Sequence, residues 1–436
     1  TSNTVFGKLA GNALASGGNY NLLIGEDAGN DLTTSDHNVA IGFQTLSKAT
    51  ASLDGNTAVG NYAMGSVVSN DVNNCVALGY ASMSVGVMEA GASGTVAIGF
   101  SALNNVTSGL NVAVGFESGK TITTGTQNTL LGYGAGNDIN EGGRNTAVGH
   151  LAFGGSLSVH GDESFDNTFI GFGSGAGDWV TAVSNKNTAV GAYSMQGAMN
   201  GSLQNTALGY GSLQDLTTGD NNVALGSSSM LNATTASSNV SIGMQSMGSG
   251  TVTGDENVAI GKDSLYDITS ASGVTAIGAE SAYNITSGSE SVAIGKQALY
   301  TATTVGANTA VGYQALKLNA VASNTAVGHS AGLNTTGTLN TYVGASAGTG
   351  AAGAEANNVG VGYSSLNSIT TGSQNCSIGS QSGLAITSGI GNVLLGQEAG
   401  KGLVGSHNNV IIGREAGSVA TATIQTNVII GYGAGK

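Results

Sequence analysis

Catalysis needs reactive side chains at fixed spacing, and this chain of 436 residues offers few. Its five histidines are isolated; His150 and His329 follow a glycine of a recurring motif, where a plain surface role is expected. No nucleophile–base pair, metal-ligand spacing or phosphate loop stands out. Pieces such as Gly171-Phe172-Gly173 and Gly431-Tyr432-Gly433 belong to the same motif and open no helix, so they carry no dinucleotide signal. Nothing matches the G-G-x-G-x-D calcium repeat. The expectation is no catalysis, no cofactor and no resident metal.

One region departs from this blandness. Between residues 150 and 190 the chain holds Phe153, Phe165, Phe169, Phe172 and its single tryptophan, Trp179, with His160, Asp162, Glu163 and Asp166 close by. Aromatic rings stack on sugars, and clustered carboxylates suit a hard cation. Phe153, Asp162, Glu163, Asp166 and Trp179 are therefore candidate surface-binding residues. The plainer alternative is a loop that packs its own aromatics down onto the body of the protein.

What must position these residues is a repeat. A five-residue unit, Asn-[Thr/Val]-Ala-[Val/Ile/Leu]-Gly, closes on a glycine 25 times from Gly7 to Gly431. The spacing is mostly 17 or 18, with extremes of 16 and 22. Each column keeps its own rule. The residue before the glycine is aliphatic except for Phe6, and the residue three after it is Ala or Ser except for Thr45. The residue directly after it is unconstrained (Lys8, Glu26, Tyr80, His150, Arg414). Strict columns mark buried or geometrically special sites, and a free column marks solvent. Phe43, Tyr80, Phe100, Phe116, Tyr133, Tyr210, Tyr313 and Tyr363 recur in that free column, as rings that could meet sugars or a neighbouring chain.

The alternating, β-rich motif suits a strand of four or five residues, and the glycine suits a corner with positive φ or a close approach. Thr-Gly pairs such as Thr124-Gly125 and Thr371-Gly372 supply turn chemistry. Two short strands and two turns then fill a coil of 17–18 residues. The predicted fold is all-β: a parallel β-solenoid of about 25 coils, one repeat array over residues 1–436 with an irregular stretch at about 150–190. Coils about 4.8 Å apart would make a rod of roughly 115–120 Å.

The fourth residue before the glycine is Asn in 21 of the 25 units, the exceptions being Cys75, Thr95, Val274 and Ser291. An amide both donates and accepts, so stacked asparagines are expected to form a ladder. The expected rungs include Asn21, Asn38, Asn56, Asn111, Asn128, Asn145, Asn205, Asn222, Asn308, Asn324, Asn392 and Asn409. The Ala/Ser column implies that the coil is very narrow there or that another chain packs against it. One coil encloses little volume, so association of several chains is expected to cover the remaining aliphatic columns.

Composition bounds the function classes. Gly accounts for 73 residues and Pro for none, while aromatics make up 5% and charged residues 8%. Proline cannot donate to a ladder, so its exclusion suits a backbone paired almost throughout. A net charge of −14 argues against nucleic acid as a partner. No apolar run is long enough to cross a membrane, so no membrane insertion is expected. Cys75 and Cys376 lie about 300 residues apart, too many coils for an intrachain disulfide, and suit core positions.

The repeat resembles two related groups. Ser291-Val292-Ala293-Ile294-Gly295 is similar to the S-V-A-I-G signature of the YadA-like head repeats of trimeric autotransporter adhesins. Asn308-Thr309-Ala310-Val311-Gly312-Tyr313-Gln314-Ala315-Leu316 looks like the repeat of bacteriophage tail-fibre shafts. The resemblance covers the whole chain, and the 17–18-residue repeat favours the phage-fibre variety. It implies a left-handed β-roll, a homotrimer around an axis, and a role in reaching or attaching to a cell surface, on a virion or otherwise outside the cell. The chain starts and stops inside a repeat without caps, which reads as a fragment of a longer fibre. The expected function is a structural shaft without catalysis. The alternatives are a bacterial surface adhesin binding host glycan or protein directly, and a monomeric ice-binding-type solenoid.

Overall fold

The computed structural model describes residues 2–15, 17–48, 53–68, 72–88, 90–137, 139–155, 163–177, 179, 182–350, 353–419 and 423–436. The chain divides into two compact units, Thr1–Asn221 and Asn222–Lys436. The first carries strands β1 (Thr4–Phe6) to β12 (Thr206–Leu208), and the second β13 (Val223–Leu225) to β25 (Val428–Ile430). Every strand has three residues, one strand per repeat. Within each unit, each strand pairs in parallel with that of the next coil, like column on like column. Ala40 thus opposes Ala58, and Ile41 opposes Val59. The chain is an all-β parallel β-solenoid, as the repeat predicts.

Strand alternation sorts the motif between inside and outside. The middle residue, usually Ala, is fully buried, while those on either side face outward and are half-exposed or exposed. The closing glycines take φ near +130° to +140°, and a Cβ on Gly60 would sit 2.4 Å from the carbonyl oxygen of Gly79. Glycine is stacked on glycine because no side chain fits between successive corners.

The core balances volume between two columns. Where the middle strand residue is small, the fourth residue after the glycine is in most coils large and buried, as in the pairs Ala58 with Met64 and Ala97 with Leu103; Ala113 with Gly119, Ala276 with Ala282, Ala326 with Gly332 and Ser377 with Gly383 depart from this. Where the middle residue is large, that fourth position is glycine: Leu23 with Gly29, Leu130 with Gly136, Phe169 with Gly175. A Cβ on Gly136 would lie 2.5 Å from Leu130 Cδ2, and one on Gly175 would lie 2.6 Å from Phe169 Cδ1. The Ala/Ser column is also buried within the single chain, so the narrowness of the coil explains it.

Among the described residues the expected second strand is not formed. The return path is a chain of turns with isolated bridges such as Val67 to Met88 and Ala233 to Val252. Left-handed residues in three columns bound this return path. These are the second after the glycine (Asp27, φ 56°), the fourth (Met64, φ 50°) and the one before the asparagine (His37, φ 60°). An extended run cannot pass through them. The backbone still bonds from coil to coil, for instance Leu103 N–H to the Ser118 carbonyl at 3.0 Å. The 20-residue coil between Gly79 and Gly99 takes up part of its extra length in a 3-10 turn, Ala90–Ala92.

Candidate functional site

The asparagine column is the structural spine. The Asn128 side-chain oxygen accepts the Asn145 backbone N–H at 3.0 Å, and the Asn111 oxygen accepts that of Asn128 at 2.9 Å. Each amide nitrogen also donates to a carbonyl of the next coil, Asn128 to Gly142 at 2.9 Å. In the first unit Asn21, Asn38, Asn56, Asn111, Asn128, Asn145 and Asn205 all occupy this buried position. In the second, Asn222, Asn308, Asn324, Asn392 and Asn409 do the same. The main link is thus side-chain oxygen to backbone N–H, with amide-to-amide bonds as a supplement. At Cys75 the thiol replaces the amide, donating to the Ala92 carbonyl at 3.3 Å, and burial pushes its pKa up. Both cysteines are free thiols.

In the irregular region two of the candidate residues are buried and two are exposed. Phe153 and Trp179 are only 6% and 7% exposed, because register places Phe153 in the Leu/Met core column and Phe169 in the middle strand column. The three rings pack on one another, with centroids at 4.7 to 5.7 Å, and the Trp179 indole N–H donates to the Gly175 carbonyl at 3.2 Å. They fill a wider core, as the plainer alternative holds. Asp166 is exposed and held by Arg144, Nε to Oδ1 at 2.6 Å and Nη2 to Oδ2 at 3.1 Å. That guanidinium keeps the Asp166 carboxyl below its usual range and also covers the Phe165 ring at 5.2 Å. Glu163 is exposed, while Asp162 and His160 lie outside the described residues. Among the described residues no three His, Cys, Asp or Glu side chains converge, and no helix is long and apolar enough to cross a membrane.

The surface that does stand out is a ladder of rings in the first unit. Phe43, Tyr62, Tyr80, Phe100, Phe116, Tyr133, His150, Phe172, Tyr193 and Tyr210 follow one another with centroids 4.9 to 5.8 Å apart. From Tyr80 to Phe172 the planes lie within 3–9° of parallel. These rings are 42–49% exposed at Phe100, Phe116, Tyr80 and Tyr133. Such stacking covers the ring faces and presents their edges and the tyrosine hydroxyls. The fold does not require it. In the second unit the same column holds rings only at Tyr313, His329, Tyr363 and Tyr432, interrupted by Ser227, Lys262, Ala279, Lys296, Ser380 and Gln397. Tyr62 and Tyr193 come from the column one further on, which sequence reading did not join to the ladder.

Fold and surface together define a class, that of repeat proteins built as parallel β-solenoids. No family model matches the chain, and no curated protein matches it.

Proposed function

We propose that this chain is the structural shaft of a homotrimeric fibre, of the kind that a phage tail carries for host attachment, acting as a rigid spacer without catalysis. One observation carries the reading. Both outward columns of the sheet are uncharged along each unit, with Thr or Val at the first strand position and Val, Ile or Leu at the third almost throughout. Leu131, Leu208, Leu225 and Leu395 are each at least 40% exposed. A sheet face meant for water would carry polar and charged groups, and continuous apolar patches mark interaction sites. Another copy of the chain presents the same strand spacing and so matches this face coil by coil. The choice of three chains comes from the resemblance to tail-fibre and adhesin repeats. Sedimentation or light scattering tests it: three times 42.5 kDa is expected, and a particle of 42.5 kDa overturns the proposal.

A second reading, an adhesin that touches its target directly, is favoured by the aromatic ladder, which the repeat does not need. Binding of the chain to host cells or a glycan array, lost on serine substitution at Phe100 and Phe116, would support it.

A further inference from the structure

Between Lys317 and Glu398 the chain carries one acidic or basic residue apart from His329, and that residue, Glu355, is 2% exposed. Its column, three residues before the asparagine, holds Gly337 in the preceding coil and Gly372 in the following one. A Cβ on Gly337 would collide with the Glu355 backbone, so the coils pack closely at this column. The same stretch breaks two other core columns. Tyr342, in the middle of β20 (Thr341–Val343), stands where its neighbours are Ala326 and Gly360, and it is fully buried. Thr335, 1% exposed, occupies a column that holds Ile268, Ile285, Ile369 and Ile386 in other coils.

Three polar atoms here have no hydrogen-bond partner: Thr335 Oγ1, the Tyr342 hydroxyl and Glu355 Oε2. Glu355 Oε1 accepts the Thr336 N–H at 3.2 Å, and the backbone N–H groups of Glu355 itself and Gly337 also face the carboxyl. The Asn358 amide lies beside the Tyr342 hydroxyl but outside hydrogen-bonding geometry. No cation faces the carboxyl. Residues 333–340 of the coil before it and 366–375 of the coil after it contain no charged side chain, and Tyr342 is the one titratable group beside it.

We propose that this cluster is a proton-operated weak point of the second unit: Glu355 is neutral while the coil is closed, and its ionisation loosens the segment from Thr335 to Asn358. The physical basis is that a buried carboxylate with no cation beside it is costly, and the backbone N–H groups around it offset only part of that cost, so the closed coil favours the acid. Desolvation raises the Glu355 pKa to about 7, and burial together with the Glu355 charge raises that of Tyr342. With the closed-state value above the open-state one, closure is strongest below the ordinary glutamate range. It weakens as pH climbs to about 7 and changes little beyond that.

Hydrogen exchange on the intact chain, followed by mass spectrometry from pH 5 to pH 8 and corrected for intrinsic rates, tests this. Opening of residues 335–358 is expected to rise about tenfold per pH unit up to neutrality, then level off. Residues 275–308, which lack such a cluster, supply the internal reference. Glu355→Gln should abolish the pH dependence, while Tyr342→Phe should keep it. A pH-independent segment in the unaltered chain, or an unchanged dependence in Glu355→Gln, overturns the proposal.

Discussion

A Cβ on Gly348 would lie 2.4 Å from Cδ1 of the Tyr342 ring, so the ring occupies the space that a side chain at residue 348 would need. Large middle strand residues and glycine at the fourth position are two halves of one packing solution. The φ of Gly348, +60°, is matched by leucines in other coils, such as Leu46 at 48°, so space rather than backbone excludes a side chain there.

Gly348→Leu is therefore expected to destabilise the second unit by about 3 kcal/mol through overpacking. Tyr342→Ala should cost about 3–5 kcal/mol through the cavity it leaves. The double variant recreates the Ala–Leu arrangement of other coils and should regain most of that loss. A double-mutant cycle by denaturant unfolding measures the coupling; simple additivity would refute the volume rule.

Asn128→Ala removes the acceptor for the Asn145 N–H and the donor to the Gly142 carbonyl, leaving both buried. A loss of about 2–4 kcal/mol is expected from two unpaired groups. Val274→Asn supplies a rung that the column lacks and should be neutral or stabilising. Thermal melts of the two variants separate a ladder from mere sequence habit.

Leu131→Glu and Leu395→Glu place charge on the outward face of the sheet without touching the core. Each chain should remain folded by circular dichroism while the assembled mass falls toward 42.5 kDa. Retention of the full mass by both variants would place the contact between copies elsewhere.

Serine at Phe100 and Phe116 should cost less than about 2 kcal/mol, since the rings are exposed and the column accepts any residue. Stability unaffected, with loss of binding or of mass, would identify what the ladder contacts.

Alkylation at pH 8 should spare Cys75 and, in a dissociated variant such as Leu395→Glu, modify Cys376, which is partly exposed on the outward sheet column. The Cys75 thiol is buried, engaged with Ala92, and held in its protonated form by desolvation. Peptide mass spectrometry reads both sites in one experiment.

Strand, corner and ladder were legible because the five residues that build them are contiguous and recur 25 times. The return path was misread because its Thr and Ser residues look β-prone, whereas left-handed positions bound it at either end and leave a short segment of turns. Those positions do leave a trace. In a chain rich in Val, Ile and Thr, no β-branched residue stands second or fourth after a closing glycine. Phe153 and Trp179 read both as surface candidates and as rings packed down onto the body, because they fall where the spacing stretches. Alignment of Phe153 with Met64 and Leu103, and of Phe169 with the middle alanines, would have placed those rings inside. Glu355 was overlooked because a single carboxylate has no periodicity; its signal was the charge-free stretch around it.

Pairing only between sequence-adjacent coils, like residue on like residue, makes the number of coils a free variable. Gain or loss of one whole repeat would join Gly to Gly and Asn to Asn across the new seam. Length could then drift under selection in steps of one coil, with no intermediate that has to invent a new core.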